Sequence, residues 1–258
     1  MNADVNGISL AYDDAGTGDA VLLVPGFASN RRYWRGMTRL LEGFRTVSVD
    51  IRGSGETVYG GPYSMWDLAE DMVGLLDHLG ADRAHVVGWS MGSHVAQCMA
   101  IAHPDRVRSL TMVSTHAVPL ARTSYLLRNL IPMAAEGRVP MDAVSVVINT
   151  MCVSEGMFRS MESAGMEPPL PRRPEDPSRL IDQLLAAGSF DISDRLGEVS
   201  VPSMVVQGTE DLMSGHGQGE LVASLIPGCT MVSVPGAGHS IPAEAYSDRL
   251  VSFMRSVG

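Results

Sequence analysis

Six short apolar runs recur along the chain and alternate with longer amphipathic stretches. The runs are rich in valine and bounded by Gly, Pro or Asp, which is typical of buried strands: VLLV at 21–24, TVSVD at 46–50, AHVVGW at 84–89, SLTMVS at 109–114, SMVVQG at 203–208 and TMVSV at 230–234. A seventh segment, ISLAYDD at 8–14, alternates apolar and polar residues and predicts an edge strand. Because strands alternate with helices, we expect a mostly parallel sheet with helices on both faces.

The stretches between the runs carry apolar side chains at helical spacing. Within residues 66–79, one stripe of the predicted helix is formed by Leu68, Met72, Leu75, Leu76 and Leu79. Further helices are predicted over 91–102, 217–225 and 242–254. Pro242 lies near the start of the last one, where a proline costs no hydrogen bond.

Residues 117–190 interrupt this alternation, since no strand-like run occurs there. Residues 165–177 hold five prolines, and the segment contains six of the 17 methionines: Met133, Met141, Met151, Met157, Met161 and Met166. These methionines either fill a core or line an apolar pocket. We interpret 117–190 as an inserted, mainly helical cap with a proline-stiffened connector, set between two parts of one α/β core, 1–116 and 191–258.

The formal net charge of the chain is −10 at pH 7. Such a surface repels phosphate backbones and anionic membranes, so neither a nucleic acid nor a membrane is an expected partner. The N-terminus lacks the basic-then-apolar pattern of a signal peptide, and no apolar run approaches the roughly 20 residues that cross a bilayer. We therefore expect a cytoplasmic protein.

Neither a metal site nor a disulfide framework is indicated by the sequence. The cysteines are odd in number, far apart and without C-x-x-C spacing: Cys98, Cys152 and Cys229. The seven histidines show no metal-ligand spacing. We expect no cofactor.

Ser90 lies between two glycines where an apolar run stops, in the sequence Gly88-Trp89-Ser90-Met91-Gly92. The pattern fits G-x-S-x-G, in which a sharp turn from strand to helix exposes the serine and small residues let the backbone close. A serine hydroxyl is a weak nucleophile until a base takes its proton and a third group orients that base. A base and an acid are therefore needed further along the chain.

A histidine and an acid follow later strands in the required order. The run at 230–234 leads to PGAGH and so to His239, the predicted base. The orienting acid should lie between the serine and the histidine in the chain, where TEDLM offers Asp211 or Glu210.

The oxyanion that forms on attack needs two backbone N–H donors held in advance. One is predicted to be the N–H of Met91, the residue after the nucleophile. The other is predicted in VLLVPGFAS as the N–H of Phe27, with Gly26 allowing that loop to approach closely.

Taken together, five motifs resemble those of the α/β-hydrolase superfamily, in the same order and over nearly the whole chain: VLLVPGF, VDIRGSG, GWSMG, QGTEDLM and GAGH. The resemblance implies the α/β-hydrolase fold, with Ser90 as nucleophile and His239 as base. It favours Asp211 over Glu210 as the acid, because Gly208-x-x-Asp211 has the spacing of the family.

Three departures from the family pattern bear on the site. Pro25 precedes Gly26 where the family usually has histidine, so the N–H donor survives but any hydrogen bond from that histidine is lost. In the family a proline commonly follows the acid by a few residues, whereas residues 213–217 contain none. Finally, Ser93 and His94 follow the turn where the family often has a further glycine.

Three aromatic residues near the predicted centre are candidates for lining a substrate pocket: Trp89, His94 and His116. For His94 the alternative is packing between neighbouring helices, and for His116 a place on the surface.

These observations predict a cofactor-free serine hydrolase. It would cleave a carboxylic ester or lactone of a small to medium, fairly apolar substrate through an acyl-enzyme on Ser90. The same three residues would also serve C–C bond hydrolysis, perhydrolysis or acyl transfer. A further alternative is a ligand-binding signalling protein that resembles the receptor members of the superfamily, which can retain the three residues; the fold alone does not decide between these functions.

Overall fold

The valine-rich runs form the strands of one sheet. The computed structural model describes residues 1–166, 178–188 and 190–257. Within these residues the strands are β1 (Asn2–Val5), β2 (Ile8–Gly16), β3 (Asp19–Val24), β4 (Phe44–Val49), β5 (Ala84–Trp89), β6 (Val107–Val113), β7 (Ser203–Gly208) and β8 (Thr230–Val234). The α-helices are α1 (Arg35–Thr38), α2 (Met65–His78), α3 (Met91–Ala102), α4 (Ala121–Ala135), α5 (Met141–Cys152), α6 (Glu155–Ser163), α7 (Ser178–Gly188), α8 (His216–Leu225) and α9 (Ser247–Ser256).

The sheet has the strand order β1-β2-β4-β3-β5-β6-β7-β8. Six neighbouring strands are parallel to one another: β4, β3, β5, β6, β7 and β8. β2 pairs antiparallel with β4, and β1 pairs antiparallel with β2 at the edge of the sheet. From β3 the chain goes first to β4 on one side and then to β5 on the other. Such a reversal leaves a crevice at the carboxyl ends of the strands, where open α/β sheets bind ligands.

Successive side chains of each central strand pack on opposite faces of the sheet. Leu22 and Val24 belong to a core shared with α2, α3 and α8, whereas Val21 and Leu23 join a second core with α1 and α9. All four side chains are fully buried. Burying a side chain of this size contributes about 2 kcal/mol, which explains why continuous apolar runs form the centre of the sheet.

The segment ISLAYDD does not form the edge of the sheet, as its alternation had suggested. This segment lies in β2, and β1 pairs with the outer side of β2 through a hairpin. The turn residues of the hairpin, Asn6 and Gly7, have φ values of 47° and 75°. The strand buries only Ala3 and Val5, too few apolar residues to give a periodic signal. The Asn-Gly pair is the signal that could have revealed it, since both residues of a tight hairpin turn need positive φ.

The last predicted helix begins later than its pattern indicated. Residues 243–245 form one turn of 3₁₀ helix after Pro242, and α9 begins only at Ser247.

Helices α4 to α7 lie between β6 and β7 in the chain, within the segment predicted to be a cap. Side chains from α4, α5 and α7 share a small core with Ala28, which follows β3. The predicted boundaries 117–190 stay a prediction, and residues 167–177 of the proline-rich connector lie outside the described residues. In the described ranges, no helix combines the length and the apolar character needed to traverse a bilayer.

Candidate active site

The sheet register brings the predicted site residues to one edge. Val24 of β3 pairs with Gly88 of β5, so the loop with Phe27 and the turn with Ser90 emerge side by side. β6 and β7 follow in the sheet, and Gly208 at the end of β7 pairs with Val234 at the end of β8. The segments that carry Asp211 and His239 therefore leave from the same edge.

Ser90 occupies a strained turn between β5 and α3, with φ 53° and ψ −122°. Its N–H donates to the carbonyl of Val113 at 2.8 Å. A Cβ at Gly88 would run into the Gly92 backbone, and a Cβ at Gly92 would run into the Val24 carbonyl. The two glycines are thus required by close backbone contacts, which hold Ser90 in a conformation that costs on the order of 1–3 kcal/mol.

Ser90, His239 and Asp211 form a continuous chain of hydrogen bonds. The Ser90 Oγ lies 2.9 Å from His239 Nε2, and His239 Nδ1 lies 2.9 Å from Asp211 Oδ2 and 3.1 Å from Oδ1. His239 is only 2% exposed and Asp211 4%. This arrangement allows His239 to accept the proton of the serine hydroxyl while Asp211 holds the imidazole.

The carboxylate of Asp211 is fixed by three further donors. Its Oδ1 accepts from the N–H groups of Met213 at 2.8 Å and Ser214 at 2.9 Å, and its Oδ2 accepts from Gln207 Nε2 at 2.7 Å. Burial alone would raise the pKa of Asp211, but His239 and the backbone donors outweigh it and lower that pKa below its usual value. Asp211 is thereby kept ionised beside the imidazole.

The neighbouring Glu210 does not take this place. Its side chain is exposed, and its backbone N–H donates to the Ala237 carbonyl at 2.9 Å. The structure therefore places Asp211, the acid that the family spacing favoured, against His239.

The loop that carries His239 is held by residues that the sequence had not singled out for this task. The His239 carbonyl accepts from Trp89 Nε1 at 3.0 Å and from Ser114 Oγ at 2.6 Å. The N–H of Ser240 donates to the carbonyl of Cys152, the last residue of α5, at 2.9 Å. Contacts from two strand ends and one inserted helix thus position the histidine.

The role of Gln207 was also not predicted, although a polar residue near the end of an apolar run marks its position in the sequence. Its Oε1 accepts from the Thr115 N–H at 3.0 Å, and its Nε2 donates to Asp211. A fully buried amide inside the run SMVVQG, four residues before the acid, is the signal that could have identified it.

Phe27 and Met91 border the space in front of Ser90. A Cβ at Gly26 would lie 2.9 Å from the Ser90 Cβ and 2.9 Å from Trp89 Cε3, which shows how closely this loop approaches the serine. Within the described residues, neither the Phe27 N–H nor the Met91 N–H donates to a protein acceptor. Both are therefore available to an oxygen atom bound in front of Ser90.

A cavity of about 1040 Å³ opens in front of Ser90 and reaches the inserted helices. Much of its wall is apolar, with contributions from Leu127, Ile148, Met157, Met161 and Leu184. Two of the six methionines singled out in the sequence thus line the cavity, whereas Met141 packs against the small core of the inserted helices. Trp89, His94 and His116 all lie in the cavity wall.

His94 and His116 form an edge-to-face pair with ring centroids 4.4 Å apart. His94 Nε2 donates to the His116 carbonyl at 3.2 Å, and Ser214 Oγ lies 3.3 Å from His116 Nδ1. Burial lowers the pKa of His94 to about 4. Burial also lowers the pKa of His116 well below its usual value, and the neighbouring His94 and His239 lower it further. Both rings are therefore neutral at pH 7.

The free energy of unfolding is expected to fall as the pH is lowered from 6.5 towards 4. The folded protein excludes a proton from His94 over this range, whereas the unfolded chain accepts it, so the stabilisation present above pH 6.5 is lost on acidification. Each such group contributes a slope of about 1.4 kcal/mol per pH unit. Urea unfolding at several pH values should show a slope smaller by that amount in His94→Gln.

His85 of β5 provides the comparison for this measurement, because burial lowers its pKa to about 4 as well. His94→Gln should leave the contribution of His85 to the slope unchanged. Equal slopes in wild type and His94→Gln would show that His94 is protonated in the folded protein.

In the described ranges, no cluster of three or more His, Cys, Asp or Glu side chains has the arrangement of a metal site.

The chain as a whole is similar to known proteins. The profile of the family described as alpha/beta hydrolase fold matches residues 19–246. Over 247 residues the chain is 28% identical to RutD of Caulobacter segnis, which is named a candidate carbamate hydrolase, and the match covers 92% of this chain and 91% of that protein.

Solved structures give the same picture. A thermophilic esterase from Thermogutta terrifontis superposes with a TM-score of 0.87 at 28% identity, covering 100% of this chain and 98% of that one. The enol-lactonase from Burkholderia xenovorans superposes with a TM-score of 0.85 over 99% of this chain and 100% of that one. The identity in the second case is 23%, so this likeness shows the fold alone.

Proposed function

This chain belongs to the α/β-hydrolase fold family, and we propose that it is a serine hydrolase that cleaves a carboxylic ester or lactone through an acyl-enzyme on Ser90. The observation that carries the proposal is the hydrogen-bonded chain from the Ser90 Oγ through His239 to the buried Asp211. The esterase from Thermogutta terrifontis, similar over the whole chain, supports the choice of bond.

In the proposed reaction, the Ser90 Oγ attacks the substrate carbonyl carbon while its proton passes to His239 Nε2. The carbonyl oxygen becomes an oxyanion, which the N–H groups of Phe27 and Met91 stabilise. When the tetrahedral intermediate collapses, the bond to the leaving oxygen breaks and that oxygen takes the proton from His239. The acyl group is then bonded to Ser90.

Deacylation repeats these steps with water. His239 removes a proton from the water molecule as its oxygen attacks the acyl carbon, and the second tetrahedral intermediate expels the Ser90 oxygen. The proton returns from His239 to Ser90, and the carboxylic acid leaves. For a lactone both products remain one molecule, a hydroxy acid.

The cavity supports the proposal that the substrate carries a small to medium, fairly apolar acyl or alcohol group. Its volume exceeds what a short ester needs, and apolar side chains of α4, α5 and α6 form part of its wall. We propose that the helices of 117–190 act as the cap over this cavity, so that their side chains select the substrate.

A carbamate is the second candidate substrate class. It presents the same acyl carbon and a leaving group on oxygen or nitrogen, so Ser90 and His239 would act on it in the same way. The similarity to RutD, extending over nearly the full length of both chains, favours including it.

The proposal can be tested with a mixed library of esters, lactones, carbamates, thioesters and diketones. Wild type and Ser90→Ala would be incubated with it in H₂¹⁸O, and the products identified by mass spectrometry. We expect consumption by wild type only, with one ¹⁸O atom in the released acid and the product masses naming the bond. A compound that both proteins retain without consuming it would instead indicate a ligand-binding protein.

A further inference from the structure

Gln183 connects the inserted helix α7 with the loop that follows β3. We propose that Gln183 is a positioning residue, which fixes the orientation of the Phe27 N–H from a helix outside the core sheet. The inference rests on the proposed function, because an oxyanion donor matters only if an oxyanion forms.

The contact joins parts of the chain that are far apart in sequence. Gln183 Oε1 accepts from the Ala28 N–H at 2.8 Å, across 155 residues of chain. Its Nε2 donates to the carbonyl of Arg52 at 3.2 Å. Gln183 is 0% exposed, so both ends of its amide are paired inside the protein rather than with bulk water.

The bond to Ala28 controls a peptide plane next to the proposed donor. The carbonyl of Gly26 accepts from the Ser29 N–H at 3.2 Å, which orients the peptide unit containing the Phe27 N–H. The following peptide unit contains the Ala28 N–H, which Gln183 holds. The planes on both sides of Phe27 are therefore fixed, one within the turn and the other from α7.

This loop needs an external restraint for two reasons. Ala28 has φ 55°, a left-handed conformation that is unfavourable for alanine because its Cβ approaches the backbone too closely. Pro25 begins this loop, and proline has no side-chain donor or acceptor with which to hold it. The Gln183 hydrogen bond is a restraint on this turn that comes from outside the loop.

The side chain of Gln183 is itself held in place by Arg52 and Gly53, which lie between β4 and α2. A Cβ at Gly53 would lie 3.0 Å from Gln183 Cγ, so the glycine makes room for the glutamine. Arg52, whose carbonyl accepts from Gln183, is paired through its guanidinium with Asp71 of α2 at 2.7 and 2.9 Å. The contacts with Gly53 and Arg52 thus fix the position at which the Gln183 amide oxygen accepts from the Ala28 N–H.

The test compares two Gln183 variants with a matched control at another contact between α7 and the core. Gln183→Met keeps the volume but removes the acceptor. Gln183→Glu keeps an oxygen for the Ala28 N–H and, with its buried carboxyl protonated, a donor for the Arg52 carbonyl. Tyr59→Phe removes the hydroxyl that donates to Asp182 at 2.8 Å, another bond between α7 and the core, which does not involve the oxyanion loop.

Gln183→Met is expected to lower kcat about 10- to 100-fold, less than the 10²–10³ that the complete loss of a donor costs. KM should stay within about threefold of wild type, because the donor acts mainly in the transition state. Gln183→Glu should recover most of the lost kcat, and Tyr59→Phe should leave it unchanged. An equal loss in Tyr59→Phe, or no loss in Gln183→Met, would overturn the proposal.

A second measurement does not depend on turnover. Amide hydrogen exchange of a peptide covering residues 24–30 should become faster in Gln183→Met and stay at the wild-type rate in Tyr59→Phe. Unchanged exchange in Gln183→Met would refute the positioning role whatever the activity. If wild type hydrolysed nothing in the library, the proposed function would fail, and the exchange data alone would decide whether Gln183 holds the loop.

Discussion

Replacing Ser90 with alanine is expected to lower kcat about 10⁴- to 10⁶-fold on any substrate that wild type hydrolyses. The change removes the atom that attacks the carbonyl and leaves His239 without the proton it would accept. The fold should survive, because the contacts of Ser90 with Val113 and Ser93 use its backbone N–H and carbonyl. Initial rates and thermal unfolding curves of the two proteins would measure both effects.

Covalent labelling separates nucleophilic attack from simple binding by Ser90. A fluorophosphonate should add once to wild type, on a peptide that contains Ser90, and should not add to Ser90→Ala. The mechanism would be wrong if Ser90→Ala kept activity within about tenfold of wild type, since a nucleophile cannot be dispensable.

Replacing Asp211 with asparagine is expected to lower kcat about 10⁴-fold. The carboxylate accepts from the Met213 and Ser214 N–H groups on one oxygen and from Gln207 Nε2 on the other, so either orientation of the amide sets its NH₂ group against a donor. If the NH₂ group faces His239, the imidazole must carry its proton on Nε2, where it cannot accept the proton of Ser90. Steady-state rates against pH would reveal the loss.

Glu210→Gln is the matched control for this experiment. It removes the adjacent carboxylate, which is exposed and does not contact His239, and should leave kcat within about twofold of wild type. A larger loss in Glu210→Gln than in Asp211→Asn would transfer the role of the acid to Glu210.

The sequence predicted most of the structure that depends on neighbouring residues. Nearly continuous apolar runs predicted the buried strands, because a parallel strand covered on both faces favours apolar residues at most positions. The glycines at 88 and 92 indicated the turn at Ser90, and the structure explains them by backbone contacts across that turn. β1 escaped notice because only two of its residues face the core.

What the sequence did not reveal are contacts between distant segments. Gln183 meets Ala28 and Gln207 meets Thr115 through single hydrogen bonds, and nothing in the local pattern of either glutamine specifies its partner. Trp89 could be listed as a pocket residue from its place beside Ser90, but not as the donor to the His239 carbonyl. Such pairings depend on how the loops at the carboxyl edge pack together, which is a property of the assembled sheet.

The contact between α5 and the histidine loop limits how this enzyme can be remodelled. The Cys152 carbonyl accepts from the Ser240 N–H, and a Cβ at Gly238 would lie 2.6 Å from that same oxygen. Exchanging the inserted helices as one module preserves this support only if the incoming segment places a carbonyl where that of Cys152 lies. Without it the Ser240 N–H is left unpaired, at a cost of about 1–3 kcal/mol, and the base loses one of its supports. New substrate ranges should therefore arise through point substitutions inside the helices, with their docking residues retained, rather than through recombination of whole segments.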